Sequence, residues 1–266
     1  MSKAVYIFGD SHANTFLRGK ELIEKSIKGV TFHIRPIAAG KIVDEFVFQN
    51  SKNQLIINPV LTIALSKDGL YPKATFDKTI LKYDQVKLCI LLGTGLPHRL
   101  LVNGNSIRRR YFEYFIVREK KQDYQTVPLL KDMLKDELRK WQISFFKGLD
   151  LLKEQGFNDI TLLASPPLHR DYNYLFEKVS FLEPLAKEKG LEPKFCFASD
   201  YLRQFLYNLS EQIIEEKAKE LNYQYISNPK GVMDKQGFLR PKYNYDGVHA
   251  NVHYALDFAK YIAQGV

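Results

Sequence analysis

Two short segments at opposite ends of the chain carry residue types that could do chemistry together. Near the start, Phe8-Gly9-Asp10-Ser11-His12 closes an apolar run that begins at Ala4. A glycine at a strand end permits a tight turn. The serine after it then stands between strand and helix, with its hydroxyl exposed and its backbone N–H pointing where an oxyanion could lie. Near the other end, Tyr245-Asp246-Gly247-Val248-His249-Ala250-Asn251 sets an aspartate before a histidine around a glycine. Such a carboxylate can accept from one imidazole nitrogen, leaving the other as a base toward a serine hydroxyl, and it stabilises the imidazolium that forms. Each segment also has a purely structural reading. A Gly-Asp-Ser turn can cap a helix, and an aspartate before a helix can do the same beside a surface histidine. Taken together they supply a nucleophile, a base and an orienting acid.

Segments so far apart in sequence need a fold that returns the chain to one rim. Short β-rich runs alternate with longer helical patterns, the signature of a parallel sheet covered on both faces. The pattern predicts strands over residues 4–8, 30–34, 86–92, 159–164 and 223–226. Helices are predicted over about 14–28, 129–155, 200–221 and 250–264. Two segments break the alternation, at about 49–83 and 97–128. They read as insertions in a single domain spanning 1–266, placed at the carboxyl rim where ligands bind in open α/β sheets. Ser165-Pro166-Pro167-Leu168-His169-Arg170 follows the fourth strand at the same rim. His33 and His253 read as a strand side chain and a helix-surface residue, with no assigned role.

The two chemical segments resemble the blocks of the SGNH/GDSL hydrolase family, in which Gly-Asp-Ser follows the first strand and Asp-x-x-His precedes the last helix. Here they stand as Gly9-Asp10-Ser11 and Asp246-x-x-His249, in the same order, and the resemblance covers essentially the whole chain. It implies an α/β fold of three α/β/α layers with a flavodoxin-like parallel sheet. It also implies Ser11 as nucleophile, His249 as general base, Asp246 as its orienting acid, and a substrate-pocket wall at the Ser165-Pro166-Pro167 loop. The oxyanion hole would use backbone N–H groups of Ser11, of Gly40 after the second strand and of Gly93 after the central one. His12 replaces the family's leucine, a variant that resembles the SGNH domains of polysaccharide-modifying acetyltransferases and esterases. That variant implies a small acyl ester, such as acetyl on a carbohydrate, with water or a carbohydrate hydroxyl as acceptor. Hydrolysis by such a site needs no cofactor.

The chain departs from the family at one place. The family's oxyanion-hole asparagine belongs to a Gly-x-Asn-Asp block, and here that block reads Gly93-Thr94-Gly95-Leu96. Loss of one such donor costs on the order of 100- to 1000-fold in rate. His98 and Arg99 are the nearest replacements, ahead of Asn103 and Asn105, and with His12 they are the expected substrate contacts. The departure favours an alternative, a non-catalytic SGNH-like module that binds a glycan or other anionic polymer through the basic insertion.

The 266 residues are 45 % hydrophobic, ample for a buried core. Cys89 and Cys196 both lie in apolar runs and read as reduced core residues, not as parts of a disulfide framework or zinc site. The first apolar run is too short for a signal sequence, and none approaches the roughly 20 residues of a membrane span. A soluble cytoplasmic protein is therefore expected. The formal net charge of +9 includes Arg108-Arg109-Arg110 in the second insertion. It fits an anionic ligand there, an acidic partner, a membrane surface or an ordinary solvated face. Nucleic acid, with Tyr111 and Phe112 stacking on bases, is the weaker alternative. Asp10-Ser11-His12 also resembles the opening block of metallophosphoesterases. The chain lacks the Gly-Asp-x-x-Asp block that family needs, and Gly104-Asn105-Ser106 lacks the histidine of its Gly-Asn-His block, so no metal is expected.

Overall fold

The computed structural model describes residues 3–36, 47–49, 55–57, 87–91, 131–178, 184, 187 and 200–264. In chain order the strands are β1 (Lys3–Gly9), β2 (Val30–Pro36), β3 (Val47–Gln49), β4 (Leu55–Ile57), β5 (Lys87–Leu91), β6 (Ile160–Leu163) and β7 (Gln224–Ile226). Five of them form one sheet in the order β2-β1-β5-β6-β7, every neighbouring pair parallel. This is the flavodoxin-like order, and its switch point lies between β1 and β5, where the connections leave in opposite directions. In open α/β sheets ligands bind at such a point, outside the carboxyl ends of the strands. β3 and β4 make a separate antiparallel pair.

The side-chain alternation of the strands sorts the core into two faces. Val5, Ile7, Cys89, Leu91 and Leu163 point to one side, while Phe8, Ile90, Ile160 and Leu162 point to the other. Helices α1 (Ala13–Arg18), α2 (Lys20–Ser26) and α6 (Val252–Gln264) cover the first face through Phe16, Ile23, Phe258 and Ile262. Helices α3 (Lys131–Glu154) and α5 (Asp200–Glu220) cover the second through Phe145, Leu149, Leu152 and Ile214. A short α4 (Tyr172–Lys178) lies between β6 and α5 in the chain. The result is three layers, α/β/α. Each fully buried Phe or Ile in these layers stabilises the fold by about 1.5–3 kcal/mol.

The strands fall within two residues of their predicted positions, and the long helices do likewise where the structure describes their ends. Two elements differ. The helix predicted over 14–28 is two helices, interrupted at Gly19, the poorest helix former in the stretch. Residues 172–178, to which the sequence pattern assigns no element, are helical, and Asp171 Oδ1 caps them by accepting from the N–H groups of Asn173 and Tyr174. Two turns are too few to show a helical period. Of the segment 49–83 only Gln49 and β4 are described, and 97–128 lies outside the described residues, as does Cys196. Cys89 is buried. No helix among the described residues is long and apolar enough to cross a membrane.

Candidate active site

The serine turn is built at the switch point. A Cβ on Gly9 would stand 2.3 Å from the Leu91 carbonyl oxygen, so only glycine lets β1 and β5 end this close together. The Asp10 N–H still bonds to that oxygen at 3.1 Å, and then the chain leaves the sheet. Asp10 Oδ1 accepts the His12 N–H at 2.9 Å, while Ala13, Asn14 and Thr15 N–H groups bond to the carbonyls of Asp10, Ser11 and His12. Asp10, 3 % exposed, thus shapes the turn, and Ser11 is held half-buried just past the end of β1.

The histidine loop is closed by an antiparallel bridge between Asn244 and Ala250, just after a 3-10 turn over Pro241–Tyr243. Within it Gly247 takes φ +82°, a left-handed conformation that costs glycine little. The turn folds Asp246 back on the residues after it. Asp246 Oδ1 accepts from Val248 N–H at 3.1 Å and His249 N–H at 2.7 Å, and Oδ2 meets His249 Nδ1 at 2.7 Å. A carboxylate only accepts, so Nδ1 carries the proton and Nε2 is the basic nitrogen. Burial works against charge on Asp246. The His249 imidazole and the two backbone N–H groups outweigh it and hold the carboxyl well below the usual carboxylate range. Asn251 then caps α6, its Oδ1 accepting from His253 and Tyr254 N–H groups and its Nδ2 donating to the Lys242 carbonyl at 2.8 Å.

Tertiary structure brings the two segments side by side. The Thr15 hydroxyl donates to the Ala250 carbonyl at 3.0 Å, and Arg18 reaches the same oxygen at 3.5 Å. The rings of His12 and His249 lie 5.1 Å apart, centroid to centroid. His12, the one expected substrate contact among the described residues, is 1 % exposed and lies beside the His249 ring. Gly40, Gly93, His98, Arg99, Asn103, Asn105 and the Arg108-Arg109-Arg110 run lie outside the described residues. His33 is a strand residue stacked on Tyr6 at 4.3 Å, and His253 is exposed on α6. Among the described residues no three His, Cys, Asp or Glu side chains are grouped as metal ligands would be.

The loop after β6 touches the same site. Residues 165–169 are all buried. The Ser165 carbonyl accepts from the Tyr207 hydroxyl and from Asn228 Nδ2, each at 2.7 Å. His169 Nδ1 meets Asn244 Oδ1 at 2.7 Å, at the mouth of the histidine loop. Burial pushes the His169 pKa down to about 4, although the Asn244 hydrogen bond and the Asp246 charge favour the proton. Sequence reasoning placed this loop at the rim but gave His169 no role. The one available signal was a histidine directly after a Pro-Pro run at the end of a buried strand.

No protein-family model matches the chain, and no curated protein matches it. Solved structures do. The chain is similar to an acetylxylan esterase from Geobacillus stearothermophilus at 10 % identity and TM-score 0.48, over 98 % of this chain and 93 % of that one. It is similar to a GDSL-like lipase from Bacteroides thetaiotaomicron at 13 % identity and TM-score 0.41, over 100 % and 90 % of the two chains. A carbohydrate acetylesterase from Sinorhizobium meliloti aligns at 11 % identity and TM-score 0.40, over 99 % and 100 %. The chemistry of this chain rests on its own residues.

Proposed function

We propose that the chain is a serine-dependent esterase or O-acyltransferase acting on a small acyl ester, such as acetyl on a carbohydrate. The observation that carries this reading is the Asp246–His249 pair, with Nδ1 protonated, standing beside the turn that holds Ser11. In this reading Ser11 Oγ attacks the ester carbonyl while His249 Nε2 takes its proton. Asp246 stays ionised and stabilises the imidazolium. The tetrahedral intermediate collapses, the alcohol leaves with the proton from His249, and acyl-Ser11 remains. Water or a carbohydrate hydroxyl then attacks with the same base, releasing acid or a new ester. Backbone N–H groups of Ser11, Gly40 and Gly93 are the proposed oxyanion donors, with His98 or Arg99 standing in for the family's asparagine.

The test is labelling by a serine-reactive fluorophosphonate beside p-nitrophenyl acetate turnover, on wild type and Ser11→Ala. Wild type should label at Ser11 and turn over the ester, and the variant should do neither while keeping its fold. Ester cleavage retained by Ser11→Ala would sink the assignment. The Gly93-Thr94-Gly95-Leu96 sequence favours a second reading, a non-catalytic module that binds a glycan or other anionic polymer. Silence of the folded wild type in both assays would support it.

A further inference from the structure

We propose that His169 is a positioning residue for the Asp246–His249 pair, so that the loop after β6 sets where the base stands. The inference rests on the reading of Ser11 as nucleophile, but its geometry is separate. The histidine loop is a short excursion between Asn244 and Ala250, and these two residues pair with each other at its neck. A loop held only at its neck could rock as a unit, and a misplacement of about 1 Å at a reacting group can cost on the order of 100-fold in rate. Both sides of the neck are anchored. Ala250 is tied through its carbonyl to Thr15 and Arg18 of α1, the helix that begins at the serine turn. Asn244 is tied through its side chain to His169.

His169 is fit to be an anchor because it is itself immobilised. Its carbonyl accepts from Arg203 at 2.8 Å, and the preceding carbonyl, of Leu168, accepts from the Leu239 N–H at 2.9 Å. Arg203 is 0 % exposed and is held in turn by Asp200 at 2.6 Å. A line of fixed contacts therefore runs from α5 through His169 and Asn244 to the pair. The ring is 2 % exposed and lies 5.7 Å from the Tyr174 ring, centroid to centroid. The Tyr174 hydroxyl faces the Gly247 backbone, so α4 leans on the same loop. The groups that face the imidazole are Asn244, Tyr174, the His249 carbonyl and, farther off, the Asp246 and His249 side chains. A buried neutral imidazole suits this place chemically. It donates one proton to Asn244 Oδ1 without placing a positive charge beside the imidazolium that must form on His249.

The test uses His169→Phe, which fills the space without a donor, and His169→Asn, which can place an amide N–H near the position of Nδ1. The readouts are the second-order rate of fluorophosphonate labelling at Ser11 and the final fraction labelled. His169→Phe should slow labelling about 10- to 100-fold while the fraction finally labelled stays at the wild-type level. His169→Asn should recover most of the rate. Asn244→Ala should be slow as well, and the double variant His169→Phe/Asn244→Ala should be no slower than the worse single one, because both break one contact. A His169→Phe protein that labels at the wild-type rate overturns the proposal. Equal slowness of the Phe and Asn variants, or a loss only in the fraction labelled, also overturns it, since either result means packing alone. The downfield proton resonance of His249 Nδ1–H, absent in Asp246→Asn, gives a readout that needs no reaction. If wild type shows this signal but never labels, the nucleophile reading fails. His169 then stands or falls on whether His169→Phe removes the signal and His169→Asn restores it.

Discussion

Asp246, whose side chain is 40 % exposed, and the more deeply buried Glu211 are both carboxyls near the carboxyl rim, and their pKa values move in opposite directions. Asp246 accepts three N–H donors, two from the backbone and one from an imidazole, at 2.7–3.1 Å. It is held ionised. Glu211, on α5, accepts the Tyr225 hydroxyl at 2.7 Å and the Ser165 N–H at a long 3.4 Å. It lines a cavity of about 250 Å³ with Tyr207, Tyr225 and Asn228, and among the described residues no basic side chain lines it. Burial pushes its pKa up to about 7 against the pull of hydrogen bonds from the Tyr225 hydroxyl and from both the side chain and the backbone of Ser165. Glu211 is the more deeply buried of the two, and burial favours its neutral form. The kind of donor adds to this, because Asp246 faces an imidazole that can carry positive charge and Glu211 only neutral groups. Charge is retained where an imidazolium has to be stabilised and is nearly given up where a polar cluster only has to hold β6, β7 and α5 together.

The strongest way to break this comparison is Asp246→Asn, which keeps the shape and removes the charge. An amide there can donate to the imidazole and reverse which nitrogen carries the proton, a change worth about 10⁴-fold in a serine triad. The labelling rate at Ser11 should fall by that order, and the thermal midpoint should fall as well, because the folded state favours the charged carboxyl at this place. Labelling within tenfold of wild type would mean that the charge on Asp246 is not what the site uses.

Glu211→Gln tests the other carboxyl through stability. The Glu211 pKa is raised on folding from 4.5 to about 7, so its contribution is full below pH 4.5 and is lost as the pH rises through about 7. Removing the titration should make the variant more stable than wild type at pH 8, by on the order of 3 kcal/mol, and leave the two alike near pH 4. His169 has the opposite sign. Its pKa drops from 6.5 to about 4, so its contribution is full above pH 6.5 and is lost as the pH falls toward 4. The two slopes largely cancel between pH 4.5 and 6.5 in wild type. Urea denaturation of Glu211→Gln should therefore uncover a stability that rises with pH in that window, and His169→Asn one that falls. A flat curve for both variants would show that these groups are solvated.

The contrast also explains what could be read from the sequence. Ser11, Asp246 and His249 were legible because each belongs to a short block whose spacing encodes a turn: Gly9 before the serine, Gly247 between acid and base. The sheet was legible because its strands are short apolar runs between turn signals, followed by glycines or prolines at 93, 166–167 and 36. The contacts that fix the blocks to one another were not. Thr15 to Ala250 and His169 to Asn244 join residues 235 and 75 positions apart, and nothing local to threonine or asparagine marks them as anchors. Glu211 reads in sequence as one more polar residue on an amphipathic helix. Only the tertiary structure shows that it faces Ser165 and Tyr225 and not open water.

Thr15→Val gives the smallest expected effect, and it sharpens the comparison between the two anchors of the histidine loop. Valine keeps the volume at this fully buried position and removes only the hydroxyl, leaving the Ala250 carbonyl with the longer contact from Arg18. Loss of one such hydrogen bond costs about 1 kcal/mol, which thermal or urea unfolding can resolve. The labelling rate should fall only a few-fold, because Arg18 still holds that side of the neck, whereas no second side chain is seen holding Asn244 Oδ1 among the described residues. The asymmetry between Thr15→Val and His169→Phe follows from that difference in redundancy. If Thr15→Val slowed labelling as much as His169→Phe does, the loop would respond to both anchors alike, and the distance between the serine helix and the histidine loop, more than the tilt of the loop, would be what sets the rate.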